Sequence, residues 1–517
     1  MRQRGILAGA AVLALAVGAT VVTVATGNAQ TAPAGKVNWR PCPDASGEVS
    51  GRMNCATLSV PIDWSEPGGA SISLALARMS AAAPDKRIGS LFFLPGGPGQ
   101  SGVDSARFAE RSLSPDLLER FDIVGFDPRG QVRSKPVTCD GNLTRAQYEQ
   151  SYPATADEFA TLRQTNRALA ESCDQLTGPL ARHVDTAAVA RDIDAIRAGI
   201  GEDKISLIGT SYGTNVGQHY AELFPNRIRA LTLDSNMDHA QDLKSYQEVS
   251  AVALEESFLR FVAWCDRTDT CALHGKNVPA YFDELYAKAA AGGLEGIPDT
   301  LIDGTVRAHD LARLILWGSF DPLGKEQVAE MLAGLGGDRR AVPAMGRGGE
   351  PLPFGGRPVT CQDFHFELPS FAELSRMEKS LEKLAPHTKF NPLAWEDLTN
   401  CQNWPGAGSN PPHRLKASPA LPPILIANSR FDPYTPYQWA ESLTAQLPSA
   451  TLLTYDGSGH GVYRLSSCAQ KAIDTYLLTL EPPSRGTHCP AEPGIDEKSW
   501  KVKPVSPLPP FGGPLTR

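Results

Sequence analysis

Gly209-Thr210-Ser211-Tyr212-Gly213 has the form G-x-S-x-G, in which glycines on both sides of a serine permit a cramped turn that thrusts its hydroxyl outward. A serine hydroxyl attacks a carbonyl only when a base takes its proton and a carboxylate holds that base. Read downstream in the order Ser, Asp, His, two loops supply these groups. Asn428-Ser429-Arg430-Phe431-Asp432-Pro433 puts Asp432 just past an apolar run, and Asp456-Gly457-Ser458-Gly459-His460-Gly461 carries His460 on a glycine-rich loop. Ser211 is the expected nucleophile, His460 the base and Asp432 its orienter. Asp456 is the rival carboxylate because it precedes the same loop as His460, and the alternative for Ser211 is a serine that only caps the following helix.

Acyl transfer through a serine also needs backbone donors aimed at a developing oxyanion. The N–H of Tyr212, the residue after the nucleophile, is one. The second is expected at Gly97 in Leu94-Pro95-Gly96-Gly97-Pro98-Gly99-Gln100-Ser101-Gly102, where residues without side chains let the backbone approach a substrate. A phosphate-binding loop is the alternative, but the segment lacks both the Walker lysine and the G-x-G-x-x-G spacing.

These groups need rigid elements behind them. Ser90–Leu94, Phe121–Phe126, Lys204–Ile208, Ile228–Leu233, Pro423–Ala427 and Thr451–Tyr455 are apolar runs of the length and type of covered strands, and Ser71–Ala77 alternates as a half-buried one. Thr186–Gly199, Tyr212–Phe224 and Cys468–Leu480 have helical spacing. Alternation of strand and helix predicts an α/β fold: a mostly parallel sheet with helices on both faces and functional groups at the carboxyl ends of the strands. Residues 37–235 form the first part of this core and 419–500 the second. Residues 236–418 have helical stretches around Ser250–Ala263 and Val278–Ala291, a Gly-rich loop near Gly334–Gly356 and little strand signal, the pattern of an inserted, largely helical cap. Residues 501–517 are a Pro-rich tail.

The chain has 517 residues, 42% hydrophobic and 21% charged, an ordinary globular balance. Its net charge of -8 gives no basic excess for nucleic acid. Arg2 and Arg4 precede an apolar stretch from about Gly5 to Ala25 followed by small residues, the layout of a signal peptide over residues 1–34; an uncleaved membrane anchor is the alternative. Ten cysteines in an exported chain favour disulfides over metal sites. Their arrangement in near-neighbour couples makes sequential pairing the simplest expectation: Cys42–Cys55, Cys139–Cys173, Cys265–Cys271, Cys361–Cys401 and Cys468–Cys489. No cofactor or metal is required by the chemistry read above.

The chain resembles the secreted α/β-hydrolase serine exopeptidases, the proline iminopeptidases and more closely the bacterial tripeptidyl aminopeptidases. The resemblance rests on Pro95–Gly99, on Asp127-Pro128-Arg129-Gly130 before Ser134, on Gly209–Gly213, on Asp432 and on Gly459-His460-Gly461. Pro95 stands where proline iminopeptidases usually have His, and Val132 replaces the second glycine of the Asp-x-Arg-Gly-x-Gly-x-Ser pattern. The resemblance implies release of short peptides, often tripeptides, from free amino termini, with acidic residues holding the substrate ammonium. Glu255 and Glu256, with Asp238 and Asp363, lie in or beside the cap and are the candidates for that contact. An esterase or lipase with the same triad is the enzymatic rival, and an inactive binding protein on the same fold is the rival from another class.

Overall fold

A computed structural model describes residues 35–42, 51–292, 294, 306–320, 324–335, 352–353 and 356–492. The leader (1–34), the Pro-rich tail (501–517) and most of the Gly-rich loop lie outside the described residues.

In chain order the strands are β1 (Arg40–Pro41), β2 (Met53–Pro61), β3 (Ser71–Met79), β4 (Gly89–Leu94), β5 (Phe121–Phe126), β6 (Thr138–Cys139), β7 (Ile205–Thr210), β8 (Ile228–Asp234), β9 (Leu352–Pro353), β10 (Ile424–Phe431), β11 (Ala450–Ser458) and β12 (His488–Cys489). Ten of them form one sheet in the order β1-β2-β3-β5-β4-β7-β8-β10-β11-β12, and β6 pairs with β9 apart from it. Pairing is parallel from β5 across to β12 and antiparallel from β1 to β3 and on to β5. Every apolar run expected as a covered strand lies in the parallel part, which is packed on both faces. Consecutive residues go to opposite faces: Phe92, Leu207 and Ile426 join one core, while Leu91, Ile208 and Leu425 join the other.

Between Asp234 and Ile424 the chain leaves the sheet and runs through the helices Leu243–Arg267, Val278–Ala290, Ala308–Gly318, Gly324–Gly334, Gly356–Asp363, Phe371–Leu384 and Pro392–Thr399. The first starts earlier than its apolar spacing alone indicates, because Asp242 caps it by accepting from Ser245 N at 2.8 Å. Phe258, Phe282, Ile315 and Leu332 give this excursion a core of its own. The five expected disulfides all form. Such bonds persist in oxidising compartments.

Asp127–Ser134 is a tight loop held by Gly130 N to Ser134 O at 3.0 Å and Ser134 N to Gln131 O at 2.7 Å. Arg129 from this loop is fully buried and forms a bidentate pair with Asp192 through Nε and Nη2 at 2.7 and 2.6 Å, while Nη2 also donates to Pro61 O and Nη1 donates to Ile62 O and His183 O. Val132, at the position of the pattern's second glycine, has φ +37°, an unfavourable value for a β-branched residue.

Candidate active site

Ser211 sits between β7 and the helix Tyr212–Leu223 with φ 59° and ψ −128°, and its hydroxyl does not cap that helix. The capping alternative is therefore set aside on geometry. The turn closes because Gly209 and Gly213 lack side chains: a β-carbon on Gly213 would lie 2.1 Å from Leu94 O, and one on Gly209 2.6 Å from Gly213 O. The loop after β4 lies directly against the serine. A β-carbon on Gly96 would come within 2.8 Å of Ser211 Cβ and 3.3 Å of its Oγ, and Gly97 follows with φ +114°. Tyr212 is buried, and its phenol donates to Asp363 Oδ2 at 2.6 Å. Burial pushes the Tyr212 phenol well up.

His460 and Asp432 meet: Nδ1 of the imidazole is 2.8 Å from Oδ2 of the carboxylate, with both side chains almost wholly buried. Asp432 also accepts from Tyr434 N at 2.9 Å, Thr435 N at 3.1 Å and Thr435 Oγ1 at 2.9 Å. With the carboxylate so surrounded by donors, Nδ1 carries its hydrogen toward Asp432 and Nε2 is left as an acceptor. Thr435 was not singled out from sequence, although a threonine three residues past the aspartate of an Asp-Pro pair is the signal of such a side-chain-closed turn. Phe320 and Tyr434 flank the imidazole at ring-centroid distances of 5.4 and 5.1 Å, and Phe320 O accepts from His460 N at 3.0 Å.

The serine and histidine loops are joined at the end of β8. Ser211 N donates to Asp234 O at 3.0 Å, Gly461 N to Ser235 Oγ at 2.8 Å, and Val462 N and Tyr463 N to the Asp234 carboxylate. Burial raises the Asp234 carboxyl against these main-chain donors. Ser211 Oγ and His460 Nε2 share no hydrogen bond among the described residues, and bonds of this kind often tighten only with substrate in place.

The other acidic residues are differently placed. Asp456 pairs with His488 at 3.0 Å on an exposed edge, away from His460. Glu255 is buried, and its carboxylate accepts from Thr388 N and Oγ1, both at 2.9 Å, and from His387 N. That set of donors fastens one helix to a distant loop. Asp238 accepts from Gln241, Ala240 and Gln446. Asp363 accepts from Tyr212, Asn410 and both the N–H and hydroxyl of Thr186. Glu256 is exposed.

A serine on a strand-to-helix turn within a doubly covered parallel sheet defines the α/β hydrolases, and residues 89–296 match the family described as "alpha/beta hydrolase fold". Residues 386–489 match the family described as "TAP-like protein". The chain is 30% identical to "Serine protease Hip1" of Mycobacterium tuberculosis over 88% of its own length and 91% of that protein. It is equally identical to the "Tripeptidyl aminopeptidase" of Streptomyces lividans, over 89% and 88% of the two chains. A third relative at 30% is "Carboxylesterase B" of Mycobacterium tuberculosis, over 86% and 89%. The chain belongs to the TAP-like family of α/β hydrolases and is a serine hydrolase.

Proposed function

We propose that Ser211, His460 and Asp432 act as a catalytic triad in an exported exopeptidase that removes short peptides, tripeptides foremost, from free amino termini. Ser211 attacks the scissile carbonyl, His460 Nε2 takes its proton and returns it to the leaving amine, and Asp432 stabilises the imidazolium. The N–H groups of Tyr212 and Gly97 serve the oxyanion. Water then hydrolyses the acyl-enzyme through the same histidine. The observation that carries this reading is the 2.8 Å contact of His460 Nδ1 with Asp432 Oδ2, on a loop that Asp234 joins to the strained turn of Ser211. Residues 236–418 act as the cap over the site, and the leader together with five disulfides supports export.

A panel of p-nitroanilide peptides one to four residues long, free and N-acetylated, run beside p-nitrophenyl esters, tests the reading. The free tripeptide is expected to be the best substrate, and acetylation to lower kcat/KM at least about tenfold by removing the charged amine. Equal cleavage of blocked and free peptides would overturn it. The relative named carboxylesterase favours a second reading, and preference for esters over every peptide would select it. Glu255→Gln and Glu256→Gln test the amine subsite, and an unchanged KM in either variant eliminates that residue.

A further inference from the structure

His219, His239 and His413 converge at the base of the helical excursion, one nitrogen from each lying within 4.8 Å of the others. They come from the helix Tyr212–Leu223, from the chain just after β8 and from the chain returning toward β10. His219 and His239 are buried, whereas the His413 side chain is 35% exposed and opens a path from solvent. His413 N donates to His239 O at 2.9 Å, so the outgoing and returning segments are already fastened together.

The hydrogen bonds around the rings assign their protons. His219 Nδ1 is 2.8 Å from Asn215 O, His239 Nε2 is 3.0 Å from Asp363 O, and His413 Nδ1 is 2.9 Å from Pro411 O. A carbonyl only accepts, so each of these nitrogens carries hydrogen, and in a neutral ring the opposite nitrogen keeps its lone pair. An outer carbonyl that fixes tautomer and ring angle is what metal-binding imidazoles have behind them. The inner nitrogens are unevenly served. His239 Nδ1 is buried without a partner. His219 Nε2 meets the Asn410 side-chain amide, 2.9 Å from Nδ2 and 3.2 Å from Oδ1, and that Nδ2 also donates to Asp363 Oδ1 at 2.7 Å. His413 Nε2 faces Glu222 Oε2 at 3.0 Å, an arrangement that places a lone pair against a carboxylate unless a proton or a cation joins them.

We propose that His219, His239 and His413, with the Glu222 carboxylate beside them, bind one divalent transition-metal ion of the zinc or cobalt type. The ion ties both ends of the excursion to the helix that follows Ser211. Imidazole and carboxylate donors suit such borderline ions, whereas magnesium and calcium demand oxygen shells. The rings close to nitrogen separations of about 3.3 Å, as a tetrahedral site with zinc–nitrogen distances of about 2.0–2.1 Å requires, and Asn410 gives up its contact with His219. No thiolate competes, since all ten cysteines are in disulfides. The site is independent of the peptidase reading.

The full chain, stripped with a chelator and dialysed, is titrated with Zn2+ or Co2+ alone. One equivalent should bind per chain, Tm should rise, and Co2+ should give the intense visible bands of tetrahedral coordination. His413→Gln, at the partly exposed ring, should lose at least about tenfold in affinity. His488→Gln, at an exposed histidine elsewhere, should bind as wild type. X-ray absorption of the zinc-loaded wild type, which needs no variant to fold, should count at least two imidazole ligands. Failure of wild type to bind either ion, equal loss in both variants, or fewer than two imidazoles would overturn the proposal.

Discussion

The main-chain N–H of Ser211 donates to the carbonyl of Asp234 at 3.0 Å, while the carboxylate of that same Asp234 accepts from Val462 N at 2.8 Å and Tyr463 N at 3.0 Å. One buried residue thereby sets the separation of the serine turn and the histidine loop. Asp234→Asn places an NH2 group against a main-chain N–H, so unfolding should become easier by about 1–3 kcal/mol. With the reacting groups moved apart and substrate contacts retained, kcat should fall and KM stay close to its original value. Thermal melts and steady-state kinetics check both, and an unchanged kcat would reduce Asp234 to a fold determinant.

The two carboxylates of the late loops should separate cleanly. Asp432→Asn is expected to lower kcat by about 10⁴-fold, the loss seen when a triad carboxylate is replaced, whereas Asp456→Asn should leave it near wild type because Asp456 pairs with His488. Thr435→Val removes the hydroxyl donated to Asp432 and should cost about tenfold, the equivalent of one charged hydrogen bond, with Thr435→Ser restoring activity. Equal effects of the two Asn variants would reassign the orienter.

Val132 at φ +37° and Gly96 against Ser211 call for opposite substitutions. Val132→Gly should raise stability by about 1 kcal/mol, strain relief of about 1–3 kcal/mol being partly offset by the greater freedom of glycine when unfolded, and activity should not change. Gly96→Ala should cut kcat, since its methyl would lie 2.8 Å from Ser211 Cβ. Differential scanning calorimetry and turnover measurements read both, and a lower Tm for Val132→Gly would refute the strain argument.

Asp397 gives a pH dependence with a defined sign. Burial pushes its carboxyl up to about 6 from an ordinary 3.8, against the opposing pull of Arg357 and the hydrogen bond from Tyr246. The folded chain therefore holds this proton more tightly than the unfolded chain. Its contribution is fully present below about pH 4 and is lost as pH rises through 6, amounting to at most about 3 kcal/mol. The difference in unfolding free energy between wild type and Asp397→Asn, taken from urea melts at pH 4 to 7, should decline for wild type over that interval. A difference that grows instead would mean that Arg357 outweighs burial.

The serine turn, the histidine loop and the strands beneath them were legible because their signals are local: apolar runs of strand length, four of the six with glycine or proline within two residues where the chain must turn. The surroundings of Glu255 were not legible, because Thr388 and His387 are remote in sequence and reach it only after folding. The helix Ala156–Thr177 was not anticipated, its apolar stripe of Phe159, Leu162, Leu169 and Cys173 being diluted by polar residues. The role of Asp234 had no signal in the sequence, since the N–H groups its carboxylate accepts belong to the last part of the chain. The three histidines have no motif spacing whatever, being assembled from three separate stretches.

The contact between His413 N and His239 O brings the two ends of the helical excursion side by side. A stretch that begins and finishes at one point can be lifted out and replaced while the remaining strands keep their order, which is why such junctions accept foreign inserts. Swapping the intervening stretch among relatives thus offers a route to new substrate preferences on an unaltered reaction centre, with the seam placed at these two histidines.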